Sequence, residues 1–183
     1  MKWNDHSKLR DTHAFLSASQ FHWLNYTDER LVERWKSAEA VAMGTELHEF
    51  AAQAIKLGIK QRKCNQTLNM HINDAIGFGL DPEVVLYYSD NCYGTSDAIG
   101  FKNDILRIHD LKTGKVKAHM EQLYIYAALF CLEYAVKPGD IQIETRIYQN
   151  NQIIRDNPTA DIILPIMDKI QRFDKLLTSI QKD

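Results

Sequence analysis

An acid-x-lysine sequence at the end of a short apolar run constrains this chain most. Residues 105–112 read Ile-Leu-Arg-Ile-His-Asp-Leu-Lys, and Asp97 lies in a preceding run of strand character over residues 93–101. Side chains alternate between the two faces of a strand, so Asp110 and Lys112 should project from one face while Leu111 points into the core. The tight turn at residues 102–104 predicts that the two acid-bearing strands form an antiparallel hairpin.

Helical patterns flank these strands. Residues 120–134 carry apolar side chains at helical spacing, and Gln122 and Tyr126 lie four residues apart, hence on one face. Residues 27–60 are also helical in character, but Gly44 interrupts them and predicts two helices, over residues 27–42 and 45–60. His48 lies in the second helix beside an apolar stripe, where a histidine considered alone is more often packed than a ligand.

The remaining elements indicate the fold class. A short helix is predicted over residues 68–78, strands over residues 83–88, 141–148 and 152–155, and a last helix from Asn157-Pro158 to about residue 181. This mixture predicts an α/β (α+β) fold with a central mixed β-sheet flanked by helices. A chain of 183 residues can bury a core of its own, so we expect a single domain over residues 1–183.

Composition limits the partners. With 22 basic and 24 acidic residues there is no general attraction to nucleic acid, so a DNA contact needs a local patch such as Lys115 and Lys117. The alternative for these lysines is a solvated turn. Ser17 and Ser19 precede an apolar segment and can cap a helix start. Without an apolar run near 18 residues or a signal peptide, the chain is predicted to be cytoplasmic, with no membrane partner.

The motifs in their chain order resemble a known family. A helical histidine (His48) is followed by Gly94-x-x-Asp97, by Asp110-x-Lys112 and by Gln122-x-x-x-Tyr126. This order and spacing resemble the PD-(D/E)XK nuclease superfamily, in the RecB-like exonuclease branch of recombination systems, CRISPR adaptation and many bacteriophages. The resemblance covers about residues 13–148, and it implies a restriction-endonuclease-like core within a single nuclease domain.

The resemblance also implies a site. Asp97 and Asp110, the backbone carbonyl of Leu111 and His48 would hold Mg²⁺ or Mn²⁺, because hard oxygen ligands suit these ions and a histidine favours manganese. Lys112 would orient the attacking water and stabilise the developing charge. The other implied residues are Gln122 and Tyr126, which would position the DNA backbone or Lys112, and Ser17, Ser19, Lys115 and Lys117, which would contact DNA.

An iron–sulfur cluster is not expected. Iron–sulfur members of the branch carry a cysteine soon after the first helix and three grouped cysteines near the C-terminus. Here the segment after that helix, residues 23–27, has none, and no cysteine follows Cys131. The three cysteines are scattered, so neither a disulfide framework nor a zinc site is predicted.

The resemblance, together with these residues, implies a metal-dependent DNA exonuclease. The expected context is DNA recombination or processing by a phage or mobile element, in a bacterial or phage-infected cell. A homo-oligomer and a recombination partner protein remain open. Two alternatives also remain open: a structure-specific or restriction-type endonuclease, and a catalytically silent DNA- or partner-binding protein with the nuclease fold.

Overall fold

The computed structural model of the chain describes residues 15–16 and 18–180, and of residues 18–21 it describes the backbone only. The chain forms two compact units, Met1–Met43 and Gly44–Asp183. In the first unit a 3₁₀ helix over Ala18–Asn25 precedes the start of a long helix, α1 (Asp28–Lys56), whose residues 44–56 belong to the second unit. The ring of Phe15 there meets Trp35 edge-on, with centroids 5.1 Å apart. The prediction of one domain over residues 1–183 stays a prediction.

Helix α1 runs through Gly44 without a break, so the prediction of two separate helices is wrong. A glycine inside a helix costs only about 1 kcal/mol relative to alanine, which packing can offset. Gly44 is buried, and a Cβ atom at this position would lie 2.9 Å from Thr113 Oγ1. The helix ends near Gly58, whose left-handed φ of 67° suits a C-terminal cap and whose N–H bonds the Ile55 carbonyl at 3.0 Å.

The second unit contains a five-stranded mixed sheet in the order β1-β2-β3-β4-β5. All neighbours are antiparallel except β3 and β4, which are parallel and joined by helix α3. The predicted mixed sheet with flanking helices is therefore confirmed, and so is the antiparallel hairpin of the two acid-bearing strands, β2 and β3. The strands and the crossover helix span Asp81–Ser89 (β1), Cys92–Lys102 (β2), Ile105–Leu111 (β3), Glu121–Glu133 (α3), Gln142–Gln149 (β4) and Gln152–Asp156 (β5).

Two of the hairpin turns follow directly from their residues. Asn103 and Asp104 join β2 to β3 with φ of 53° and 57°, and Asn150 and Asn151 join β4 to β5 with φ of 51° and 59°. Two-residue hairpin loops favour left-handed residues, and asparagine and aspartate tolerate that conformation. These turns fix which residues of the paired strands face each other.

Helices cover both faces of the sheet. On one face α3 and α4 (Ala160–Ile180) bury a cluster that includes Leu106 and Ile108 of β3. On the other, residues 44–56 of α1 and helix α2 (Thr67–Phe78) bury Leu111 and Tyr148. Both faces of strand β3 are therefore buried, and this burial fixes the direction of its side chains. Of the helices described, none is both long and apolar enough to cross a membrane.

The second cluster also encloses a buried polar network. The hydroxyl of Tyr148, which is fully buried, donates to Asp74 Oδ2 at 2.7 Å and lies 3.2 Å from His109 Nδ1. His71 packs edge-on against Tyr148, and its Nδ1 has no hydrogen-bond partner among the described residues. Burial lowers the pKa of His71 to about 4, so this side chain is neutral at physiological pH.

Candidate metal and phosphodiester site

Asp97 lies where strands β2 and β3 separate. The last residue pair between these strands is Ala98 with His109. Beyond it the N–H of Leu111 donates to Asp97 Oδ2 at 2.7 Å, so a carboxylate takes the place of a main-chain acceptor. The side chain is thereby fixed at the sheet opening with its other oxygen, Oδ1, available for further partners.

His48 of helix α1 is the first of these partners. Its Nδ1 atom lies 3.3 Å from Asp97 Oδ1. The hydrogen bond that His48 donates to Asp97 raises the pKa of His48, although partial burial opposes the shift. Burial by itself would raise the pKa of Asp97, but the bonds from His48 and from the Leu111 N–H outweigh it and leave that pKa lowered. Asp97 is therefore an anion, as a metal ligand must be.

Glu83 joins this pair, and sequence reasoning missed it. One ligand atom from each of His48, Glu83 and Asp97 lies within 4.8 Å of the other two. Glu83 is in β1 with a left-handed φ of 52°, between Pro82, which pairs with Ala98, and Val84, which pairs with Ser96.

The observed strand register places Glu83, whereas the turn alone does not, because the register between β1 and β2 shifts between Tyr87 and Ser89. Tyr87 pairs with Tyr93, and counting four residues outward along each strand reaches Glu83 and Asp97. The two carboxylates therefore occupy facing positions on neighbouring strands. Burial, followed by the charge of Asp97, raises the pKa of Glu83, while His48 opposes the shift. A cation between them would relieve this repulsion.

Asp110 and Lys112 form the second part of the site. Lys112 Nζ lies 3.1 Å from Asp110 Oδ1 and 3.0 Å from Oδ2, while Leu111 is buried in the opposite cluster. The predicted alternation along this strand is confirmed. Asp110 is 2% exposed, and burial followed by the charge of Asp97 raises its pKa to about 6, although Lys112 opposes the shift. The Nζ contact to Oδ2 lacks hydrogen-bond geometry, so this buried oxygen has no hydrogen-bond donor among the described residues.

Gln122 and Tyr126 link Lys112 to strand β2. Lys112 Nζ donates to Gln122 Oε1 at 2.8 Å, and Gln122 Nε2 donates to the Tyr126 hydroxyl at 3.1 Å. That hydroxyl donates in turn to the Thr95 carbonyl at 2.7 Å. The spacing of four residues places both side chains on one face of α3, as predicted. This chain of bonds and the contact with Asp110 together hold the Lys112 ammonium group in place.

Two glycines, Gly94 and Gly44, allow the elements around the site to approach one another closely. A Cβ atom on Gly94 would lie 3.0 Å from Tyr126 Cε1, so a larger residue there would displace the ring. Gly44, four residues before His48, leaves room for Thr113 immediately after Lys112. Close packing at the site thus explains both Gly94 of the Gly94-x-x-Asp97 motif and Gly44 inside helix α1.

The other predicted residues lie outside this cluster. Lys115 and Lys117 are exposed in the segment between β3 and α3. Ser17 lies outside the described residues. Ser19 lies in the 3₁₀ helix of the first unit, and its side chain is outside the described part of the chain. Their predicted contacts with DNA stay predictions.

The residues present fit a divalent cation. Their donors are an imidazole and carboxylate oxygens, the set that suits Mg²⁺ or Mn²⁺. Asp110 Oδ2 is buried and accepts no hydrogen bond among the described residues, although Lys112 Nζ lies 3.0 Å from it, so this oxygen retains the capacity to bind a cation. Asp110 is not one of the three residues whose ligand atoms lie within 4.8 Å of one another, but it is close enough to Asp97 for their charges to interact. The Leu111 carbonyl remains a predicted ligand.

No family model, curated protein or solved structure matches the chain. What the site can do must therefore follow from its own residues.

Proposed function

We propose that this protein is a metal-dependent DNA exonuclease of the PD-(D/E)XK type, in its RecB-like branch. One observation carries the proposal: the Lys112 ammonium is held between buried Asp110 and Gln122 beside the His48–Glu83–Asp97 group. A lysine fixed next to a group of cation ligands suits an attack on an anionic phosphodiester, where charge must be neutralised and a water molecule oriented.

The cation would be held by Asp97 and His48, with Glu83 and Asp110 completing the set of side chains. Three of these four are fixed in place by the protein itself. Asp97 is bound by the Leu111 N–H, His48 by Asp97, and Asp110 by Lys112. Such outer contacts orient metal ligands and tune their affinity. When bound, Mg²⁺ or Mn²⁺ would make a water molecule nucleophilic and neutralise charge on the phosphate.

Lys112 would act directly on the substrate. An ammonium group has three N–H donors, and within the described part of the chain Lys112 uses two, on Asp110 and Gln122. The third can donate to a phosphate oxygen or to the attacking water. Because Gln122 and Tyr126 fix the ammonium position, no reordering of this long side chain is needed when the transition state forms.

Only the family resemblance supports attack at DNA ends and the biological process in which it would take place. We propose attack on DNA ends, in the DNA recombination or processing of a phage or mobile element in a bacterial cytoplasm. DNA is the proposed partner. The assay must distinguish this exonuclease from two alternatives, an endonuclease and a catalytically silent DNA-binding protein.

The test is cleavage of end-labelled linear DNA and covalently closed circular DNA in Mg²⁺, Mn²⁺ or EDTA. We expect metal-dependent loss of linear DNA only. Lys112→Ala and Asp110→Ala should lower the rate at least about 100-fold. Lys102→Ala, which changes an exposed lysine at the end of β2, is the matched control and should retain the rate.

Each other outcome assigns a different function. Cutting of closed circles would identify an endonuclease, because a circle offers no end. DNA binding without cleavage in any metal would support the silent binding protein. Full cleavage by Lys112→Ala would show that the proposed site is wrong.

A further inference from the structure

An exposed segment leads from Lys112 to helix α3. Residues 113–119 form neither helix nor strand, and Lys115, Val116 and Lys117 are exposed, with Val116 at 85%. Irregular exposed connections are ordinarily the most mobile parts of a fold. This one carries two positive charges within a few residues of the proposed catalytic lysine.

The side-chain amide of Gln149 binds the backbone of this segment. Gln149 is the last residue of β4 and is 5% exposed. Its Oε1 accepts from the Ala118 N–H at 3.2 Å, and its Nε2 donates to the Gly114 and Val116 carbonyls at 2.7 Å each. Both amide hydrogens and the amide oxygen are therefore used on the backbone of a single loop.

The same end of β4 also holds Lys112. The carbonyl of Tyr148, the residue before Gln149, accepts from the Lys112 N–H at 2.9 Å. The catalytic lysine and the basic segment are thus fixed to two successive residues of one buried strand. Their spacing is set by the sheet rather than by the loop itself.

We propose that Gln149 is a positioning residue that holds Lys115 and Lys117 ready to bind the backbone phosphates of the DNA strand being cut. This inference rests on the proposed function. A loop that is already ordered loses less freedom when substrate binds, so fixing it strengthens binding. Lysine–phosphate contacts carry no sequence information, and the contact would therefore serve any DNA sequence.

The test compares Gln149→Met, which keeps the side-chain size but removes all three bonds, with the wild-type protein. Gln152→Met, at an exposed position in β5, is the matched control. We expect Gln149→Met to raise KM for linear DNA about tenfold with kcat within about twofold. The slope of log binding constant against log salt concentration should become shallower by between about 1 and 2.

A second pair of variants separates positioning from general loss of structure. Lys115→Ala/Lys117→Ala should reduce the salt slope by the same amount, and adding Gln149→Met to it should change the slope no further. Because these exposed lysines can be changed without disturbing the core, the double lysine variant keeps the proposal falsifiable even if Gln149→Met does not fold. An unchanged salt slope in the double lysine variant would overturn the proposal.

The two proposals fail in different ways. A wild-type protein that neither binds nor cleaves DNA overturns both. A wild-type protein that cleaves, together with a folded Gln149→Met variant of unchanged KM and salt slope, overturns the role of Gln149 alone.

Discussion

Replacing Asp110 by asparagine should abolish cleavage and yet stabilise the metal-free protein. The carboxylate is 2% exposed and faces the negative charge of Asp97, and Lys112 compensates for only part of this cost. Asparagine has nearly the same shape and no charge. The substitution therefore removes an unfavourable charge from the folded protein together with a ligand that the reaction requires.

The magnitude follows from the pKa. A rise from 3.8 to about 6 corresponds to about 3 kcal/mol that ionised Asp110 costs the folded state at neutral pH. Asparagine removes this cost, but part of the resulting stabilisation will be lost because the new amide hydrogens need hydrogen-bond acceptors in a buried place. We expect Asp110→Asn to raise the free energy of unfolding by between about 1 and 3 kcal/mol in EDTA at pH 7.5.

The pH dependence gives a second, independent readout. A carboxyl group with a raised pKa binds its proton more tightly in the folded protein, so lowering the pH from 6 towards 3.8 removes the cost that Asp110 imposes on the stability of the wild type. The variant lacks this contribution. Its advantage should therefore shrink to about half at pH 5 and vanish below pH 3.8.

Urea unfolding in EDTA at pH 7.5 and pH 5 measures both effects, and a titration with Mn²⁺ completes the design. Bound metal should stabilise the wild type more than Asp110→Asn, because the variant has lost a ligand. Asp140→Asn, in an exposed turn, is the control and should stay within about 0.5 kcal/mol. A variant that is less stable than the wild type in EDTA would refute the reasoning that Asp110 is electrostatically strained.

Three further predictions concern neighbouring residues. Glu83→Gln should weaken Mn²⁺ binding at least about tenfold in calorimetry, and equal affinity would remove Glu83 from the site. Gly94→Ala should lower the cleavage rate at least about tenfold by displacing the Tyr126 ring, whereas Gly139→Ala, whose nearest contact would be 3.9 Å, should not. Burial lowers the pKa of His71 to about 4, so between pH 6.5 and pH 4 this histidine is protonated in the unfolded chain but not in the folded protein. The free energy of unfolding should therefore fall by up to about 3 kcal/mol over this range. Urea unfolding at several pH values measures this fall, and the contribution of His71 should be absent in His71→Leu.

The strands and the short-range part of the site could be read from the sequence. Alternation along residues 105–112 placed Asp110 and Lys112 on one face, and the spacing of Gln122 and Tyr126 placed them on one turn of helix. These relations hold because a strand or helix repeats over a few residues, and the repeat fixes relative directions whatever the element packs against.

Long-range packing decided the rest. Gly44 looked like a helix break, yet it lies inside α1, because an approaching Thr113 needs the space that a missing side chain leaves. Glu83 could be placed opposite Asp97 only through the hairpin register. Gln149 contacts residues more than 30 positions earlier in the chain, and no local pattern distinguishes it from any other glutamine at a strand end.

The sequence by itself thus determined which residues can serve as ligands and donors and which way each points from its own strand or helix. Only the tertiary structure decided which of them meet. Hydrophobic burial on both faces of the sheet brings helix α1, strand β1 and the end of β4 around Asp97, Asp110 and Lys112. That burial is non-directional and spread over many side chains, so no short stretch of sequence records its outcome.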